Sequence, residues 1–149
     1  MRDAPAERVV VDANVWISAL VFGGTPRRVF EDIVREGLVL VVSAEILTEV
    51  RRIVAVKFPD FVADVEALLR VLSEQTATVA LGAVTITASR DPDDNRVIET
   101  AELGEAPLIV SGDSDLLDLG SYRSIAITRP ADWLTDRAAA AAQHDSAER

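Results

Sequence analysis

Short apolar runs alternating with helix-length segments constrain this chain most. Val9 to Val11, Val39 to Val42, Leu108 to Val110 and Ile125 to Thr128 are rich in Val and Ile and read as strands. A weaker strand is expected at Thr78 to Ala80 or at Val84 to Thr87. Strands that alternate with helices pack as a mostly parallel sheet with both faces covered, so the expected class is α/β. Helix signals fill the gaps. Thr25-Pro26 reads as an N-cap with proline at the first helical position, opening a helix over Arg27 to Arg35 that Gly37 stops. Ser43 caps a second helix, Ala44 to Val54. Phe61, Val62, Val65, Leu68, Leu69 and Leu72 follow helical spacing and predict one core-facing stripe. After Trp133-Leu134 the run Ala138 to Ala142 predicts a short helical extension with a frayed end. At 149 residues the chain is expected to form one domain over 1–135, followed by a polar extension over 136–149.

Acidic residues stand where such a sheet would gather them. Asp12 ends the first apolar run, and Asp113 follows Leu108 to Val110 through Ser111-Gly112. Ligands of parallel α/β sheets bind in the crevice outside the carboxyl ends of the strands, so acids in these two places can converge. Asp94 lies in the loop Arg90-Asp91-Pro92-Asp93-Asp94-Asn95 at a helix start, and Glu49 sits within the helix that follows Ser43. Clustered carboxylates raise one another's pKa unless a cation neutralises them. A hard dication held by oxygen ligands, Mg²⁺ or Mn²⁺, satisfies such a cluster. Thiolate sites are excluded because the chain has no cysteine. Structural roles compete with this reading. Asp12 and Asp113 can cap the helices that follow them, and Asp91 and Asp93 can serve the turn around Pro92. One of Glu45 and Glu49 is expected to be an exposed helix acid, Asp115 and Asp118 fit a surface as well as a site, and Asn14 can satisfy local backbone groups.

Composition narrows the function classes. The formal charge of −10 sits uneasily with phosphate binding, yet Arg27, Arg28 and Arg35 are bunched in one segment and Arg51, Arg52 and Lys57 in the next. A solvated helix face accounts for those bunches equally well. Charged residues interrupt every apolar stretch before membrane-spanning length, and Met1 to Arg8 is charged with no signal-like apolar core, so a cytoplasmic protein without membrane association is expected. The single histidine, His144, lies in the polar tail and offers no catalyst. Lys57 is the only lysine and precedes the last strands, which disfavours phosphoaspartate receivers and haloacid-dehalogenase-like phosphatases, and no G-x-x-x-x-G-K-[ST] loop is present.

Taken in order, Val10-Val11-Asp12-Ala13-Asn14-Val15-Trp16, the segment Ser43 to Val50, Arg90 to Asn95, Ser111-Gly112-Asp113-Ser114-Asp115 and the ending Ile125 to Leu134 resemble the PIN-domain family of nucleases. Within it they resemble the VapC-like branch of toxins from toxin–antitoxin systems. The resemblance implies a three-layer α/β/α fold with a central, mostly parallel sheet, and an Mg²⁺- or Mn²⁺-dependent endoribonuclease. It implies that Asp12, Glu49, Asp94 and Asp113 are the catalytic, metal-binding acids, with Asp115 a further metal ligand. Asn14 and Ser111 then take supporting positions. It also implies an RNA substrate, a cognate antitoxin partner and a homodimer, while the residues themselves leave single-stranded DNA, and one metal or two, open. Two departures concern only the surroundings of the site: Ala13 stands where the family more often has Thr or Ser, and Pro107 where this branch often has Asp. The alternative is a protein of the same fold that binds nucleic acid or regulates without turnover. The complete acid set disfavours it.

Overall fold

A computed structural model describes residues 6–147. The elements run β1 (Arg8–Val11), α1 (Ala13–Val21), α2 (Gly24–Glu36), β2 (Val39–Ser43), α3 (Ala44–Lys57), α4 (Val62–Val71), β3 (Thr76–Val79), α5 (Pro92–Leu103), β4 (Leu108–Val110), α6 (Ser114–Leu119), β5 (Ser121–Tyr122), β6 (Ile125–Thr128) and α7 (Pro130–Ala147). Six strands form one sheet in the order β3-β2-β1-β4-β6-β5, parallel throughout except for the β5–β6 hairpin. The chain steps outward from β1 to β2 and β3, then crosses back to β4 on the other side of β1. Parallel crossovers are right-handed, so these opposite steps place α1 to α4 on one face and α5 on the other. The result is helices on both sides of a central sheet.

The centre of this sheet is uniformly apolar. Val9, Val10, Val11, Leu40, Val41, Val42, Ile109 and Val110 are all fully buried or nearly so, as parallel strands covered on both faces require. Trp16 in α1 packs edge-on against Phe30 of α2, with centroids 4.8 Å apart. Its indole Nε1 donates to the Val11 carbonyl at 3.0 Å, so the α1–α2 hairpin is tied to the end of β1. On the opposite face α5 approaches β2 closely at Gly104, where an added Cβ would strike the Val41 side chain. Gly104→Ala should therefore destabilise the protein by about 1–3 kcal/mol through overpacking, read as a lower urea midpoint at an unchanged slope.

Several local expectations change. The helix expected from Arg27 starts at Gly24, because Gly23 and Gly24 adopt φ of 72° and 61° and turn the chain there; Thr25 makes no cap bond, and Pro26 sits in the first turn where its missing N–H costs nothing. Gly37 ends that helix in the left-handed conformation, as expected. The helix after Ser43 runs on to Lys57, and Val62 of the α4 stripe points outward while Val65 and Leu72 enter the core. The weak strand is Thr76–Val79, paired with β2 from Leu40↔Thr76 to Ser43↔Val79. Val84 to Thr87 forms no strand, because the N–H groups of Thr85 and Ile86 donate to the Glu99 carboxylate and not to a neighbouring strand. The terminal helix α7 is an 18-residue element, longer than a short extension. Arg137 holds it down, donating to Glu7 and Glu36 at 2.7 Å each and stacking over Trp133.

Candidate active site

The strand order fixes where a site can form. The chain leaves β1 for β2 on one side and returns to β4 on the other, so β1 and β4 flank the point where the connections diverge, and the crevice opens at their carboxyl ends. Asp12 follows β1 and Asp113 follows β4 by three residues. Both cap helices as well: Asp12 accepts from the Ala13 N–H at 2.8 Å and Asp113 from the Leu116 N–H at 3.0 Å. Capping and a role in the crevice are compatible, because each carboxylate has a second oxygen. In Asp12 that second oxygen accepts from Ser111 Oγ at 2.7 Å, and Ser111 Oγ in turn accepts from the Asp113 N–H at 3.0 Å. Asn14 Oδ1 accepts from the Gly112 N–H at 3.2 Å, which ties α1 to the same turn. Burial raises the Asp12 pKa, the bonds from Ser111 and Ala13 oppose the rise, and the Asp113 and Asp91 charges add to it.

Asp94 enters the same crevice from the first turn of α5. The carboxylates of Asp94, Asp113 and Asp115 present oxygens within 4.8 Å of one another. Asp94 is only 5% exposed, and burial, together with a hydrogen bond to Asp113 and its charge, pushes its pKa up to about 8. The Asp94 carboxyl is therefore held mainly in its protonated form at neutral pH, hydrogen-bonded to Asp113. Asp115 is half-buried and also accepts from Arg90 at 3.1 Å. Asp12 and Glu49 stand outside that triad. Glu49 projects from the half-buried side of α3, where burial and the charges of Asp93 and Asp12 push its pKa up to about 7 despite Arg52 nearby. Glu45, one turn earlier, is half-buried and paired with Arg96 at 3.2 Å. Asp91 caps α5 through the Asp93 N–H, Asp93 is exposed, and Asp118 is exposed on α6. The side chain of His144 lies outside the described residues.

A buried polar network behind the acids was not read from the sequence. Ser89 Oγ donates to Asp94 at 3.1 Å, while Asn95 accepts from the Ser89 N–H at 2.8 Å and donates to its carbonyl at 3.0 Å. Asn95 thus clamps the loop that delivers Ser89. Deeper along α5, Glu99 accepts from the N–H groups of Thr85 and Ile86 at 2.8 and 3.0 Å and from Arg96 at 2.6 Å. Burial alone would raise its pKa, but these donors outweigh burial and hold it below the ordinary glutamate value. Arg96 also reaches Glu45 and the Gly82 carbonyl, so one ion cluster fastens the irregular segment 80–91 to α3 and α5. Glu99→Ala leaves the Thr85 and Ile86 N–H groups without their acceptor and takes from the half-buried Arg96 its shortest ion pair, and should cost about 3 kcal/mol in denaturant unfolding. Glu99→Gln keeps an acceptor oxygen and should cost less.

Comparison with known proteins gives a consistent picture. The family model described as PIN domain matches residues 8–115. Among solved structures, VapBC2 from Rickettsia felis bound to a DNA fragment from their promoter superposes with a TM-score of 0.56 at 10% identity, over 80% of this chain and 96% of that one. No curated protein matches the sequence. At that identity the structural likeness speaks for the fold, a mostly parallel sheet flanked by helices.

Proposed function

This chain belongs to the PIN-domain family, and from that premise we propose that it is a divalent-metal-dependent ribonuclease acting as the toxin of a toxin–antitoxin module. The convergence of Asp94, Asp113 and Asp115 at the β1/β4 crevice carries the reading. The donor set fits a hard dication: every available group is a carboxylate or hydroxyl oxygen, and Asp94, whose pKa is raised first by burial and further by its hydrogen bond to Asp113 and the Asp113 and Asp91 charges, would be favoured as an anion by a bound cation. Asp12, Asp94 and Asp113 would hold Mg²⁺ or Mn²⁺, with Asp115 as a further oxygen donor. Bound there, the cation supplies Lewis-acid stabilisation of the phosphoryl oxygens and an acidified water. Ser111 orients the Asp12 carboxylate through its hydrogen bond, while Ser111 and Asn14 hold the turn that carries Asp113 by accepting from the Asp113 and Gly112 N–H groups. Glu49 would orient the attacking water and accept its proton, a role supported by its pKa of about 7, at which a carboxylate is half deprotonated at neutral pH.

Residues 1–135 form the catalytic domain in this reading, and 136–149 an extension of it. Phe22 and Val56 are 75% and 74% exposed, and Phe22 stacks edge-on with Phe58 across the α1 and α3 ends. Exposed apolar side chains such as these are where a small protein partner of the antitoxin kind would bury its own apolar side chains, with basic side chains reaching the acids. The chain itself is a homodimer in this account. Among the described residues no helix is long and apolar enough to cross a membrane; the site of action proposed for it is the cytoplasm.

Incubating the purified chain with RNA and DNA oligonucleotides of one sequence tests the substrate reading. Cleavage of RNA at least about tenfold faster than DNA is expected. Equal cleavage of both removes the ribonuclease assignment. The toxin assignment predicts a small gene beside this one, and is tested by expression with and without its product: growth arrest only without it, and a stable complex by light scattering, are expected, whereas no such gene or no arrest overturns the assignment.

A further inference from the structure

Beside the acids, between α3 and the start of α5, lies a cavity of about 320 Å³. One wall is the face of α3 that repeats at helical spacing, Glu45, Thr48, Glu49 and Arg52, and the other carries Asp93 and Arg96. Its two guanidinium groups differ in kind. Arg96 is 18% exposed and fully committed to Glu99, Glu45 and the Gly82 carbonyl, so it is part of the scaffold. Arg52 is exposed and makes no hydrogen bond or ion pair among the described residues. Its neighbour Arg51 shows the contrast, being held by both carboxylate oxygens of Glu66 at 3.0 Å on the far side of the helix. A cation left free in a cleft that opens onto a cluster of acids is poised for an anion arriving with the substrate.

Resting on the nuclease reading above, we propose that Arg52 binds the backbone phosphate adjacent to the scissile one, so that the nucleic-acid strand runs from the acids through this cavity along α3. A guanidinium can grip that phosphate through two parallel N–H groups, which fixes the direction of the strand as well as its affinity. The apolar atoms of Ile46 and Val97 in the same cavity exclude water from beneath the sugar. Glu49, one turn before Arg52, then faces the reacting phosphate while Arg52 faces its neighbour.

The test compares wild type, Arg52→Ala, Arg52→Lys and Arg28→Ala, the last a control on α2 facing α7, for cleavage of a short single-stranded RNA in Mn²⁺ across a salt series. Arg52→Ala should raise KM about tenfold with kcat within about threefold, as expected of one lost charge-assisted contact. Its log–log salt slope should fall by about 0.7, the contribution of one phosphate contact on a single strand. Arg52→Lys should recover the slope and part of the KM, and Arg28→Ala should match wild type. If wild type cleaves and Arg52→Ala keeps both KM and slope, this inference fails and the nuclease reading survives. A wild type that neither binds nor cleaves RNA overturns both.

Discussion

Asp12→Asn should lower the rate of RNA cleavage by about 10³-fold while leaving the protein folded. A cation's stabilisation of a phosphoryl transition state is worth several kcal/mol, and each 1.36 kcal/mol is a factor of ten, so loss of one buried anionic ligand has an effect of this size. Folding should survive because the substitution keeps shape and one acceptor: Asn can still accept from the Ala13 N–H through its carbonyl oxygen. Only the bond from Ser111 must reorganise, since an amide NH₂ now faces that hydroxyl, which can rotate to accept. Burial also raises the Asp12 pKa, so a neutral side chain relieves part of the cost of an ion in that position. Circular dichroism and a thermal melt would establish the fold, and initial rates with labelled RNA the loss. A folded Asp12→Asn protein that cleaves at the wild-type rate would remove Asp12 from the site.

The second large effect is a pH-dependent response to metal. Asp94 moves from an ordinary value of 3.8 to about 8 in the folded protein, and Glu49 from 4.5 to about 7. Both folded values are raised, so the native state holds protons that the unfolded chain releases. Their contribution is most favourable below about pH 4 and is lost as pH rises through the folded values, near 7 and 8. The metal-free protein should therefore lose stability between pH 5 and 8.5 from these groups. Mg²⁺ or Mn²⁺ reverses this, because a ligand must be deprotonated to bind; binding should release protons, tighten as pH rises through 7 to 8, and raise the melting temperature more at pH 8 than at pH 6. Asp94→Asn should blunt the metal response and stabilise the metal-free protein at pH 8 by about 1–2 kcal/mol. Calorimetric titration in two buffers of different ionisation enthalpy measures the proton release directly. No metal response at any pH in this range would contradict the account.

Much of the architecture is written locally and could be read from the sequence. Each central strand is a Val- or Ile-rich run, and the helix starts at Ser43, Asp91 and Asp113 carry their own capping side chains. The position of the acids follows from the same signal, since Asp12 and Asp113 are placed by the strands they follow. What resisted reading is what depends on partners distant in sequence. Glu99 looks like one more helix acid until the fold brings Thr85 and Ile86 onto it, and without it the apolar segment Val84 to Thr87 resembles a strand. Ser89 and Asn95 join through a loop with no periodicity, and Asp115 meets Arg90 across 25 residues. Thr25-Pro26 imitates a cap at the start of α2, whereas the turn is made just before it by Gly23 and Gly24 with positive φ.

The central claim is that cleavage depends on a cation held by these acids. Stripping the purified protein with EDTA and titrating Mn²⁺ back while following the rate of RNA cleavage tests it most directly. The account predicts no cleavage in excess chelator, a saturable recovery with Mn²⁺ or Mg²⁺, and no recovery in a folded Asp113→Asn protein; undiminished cleavage in chelator, or equal recovery by Asp113→Asn, would contradict it.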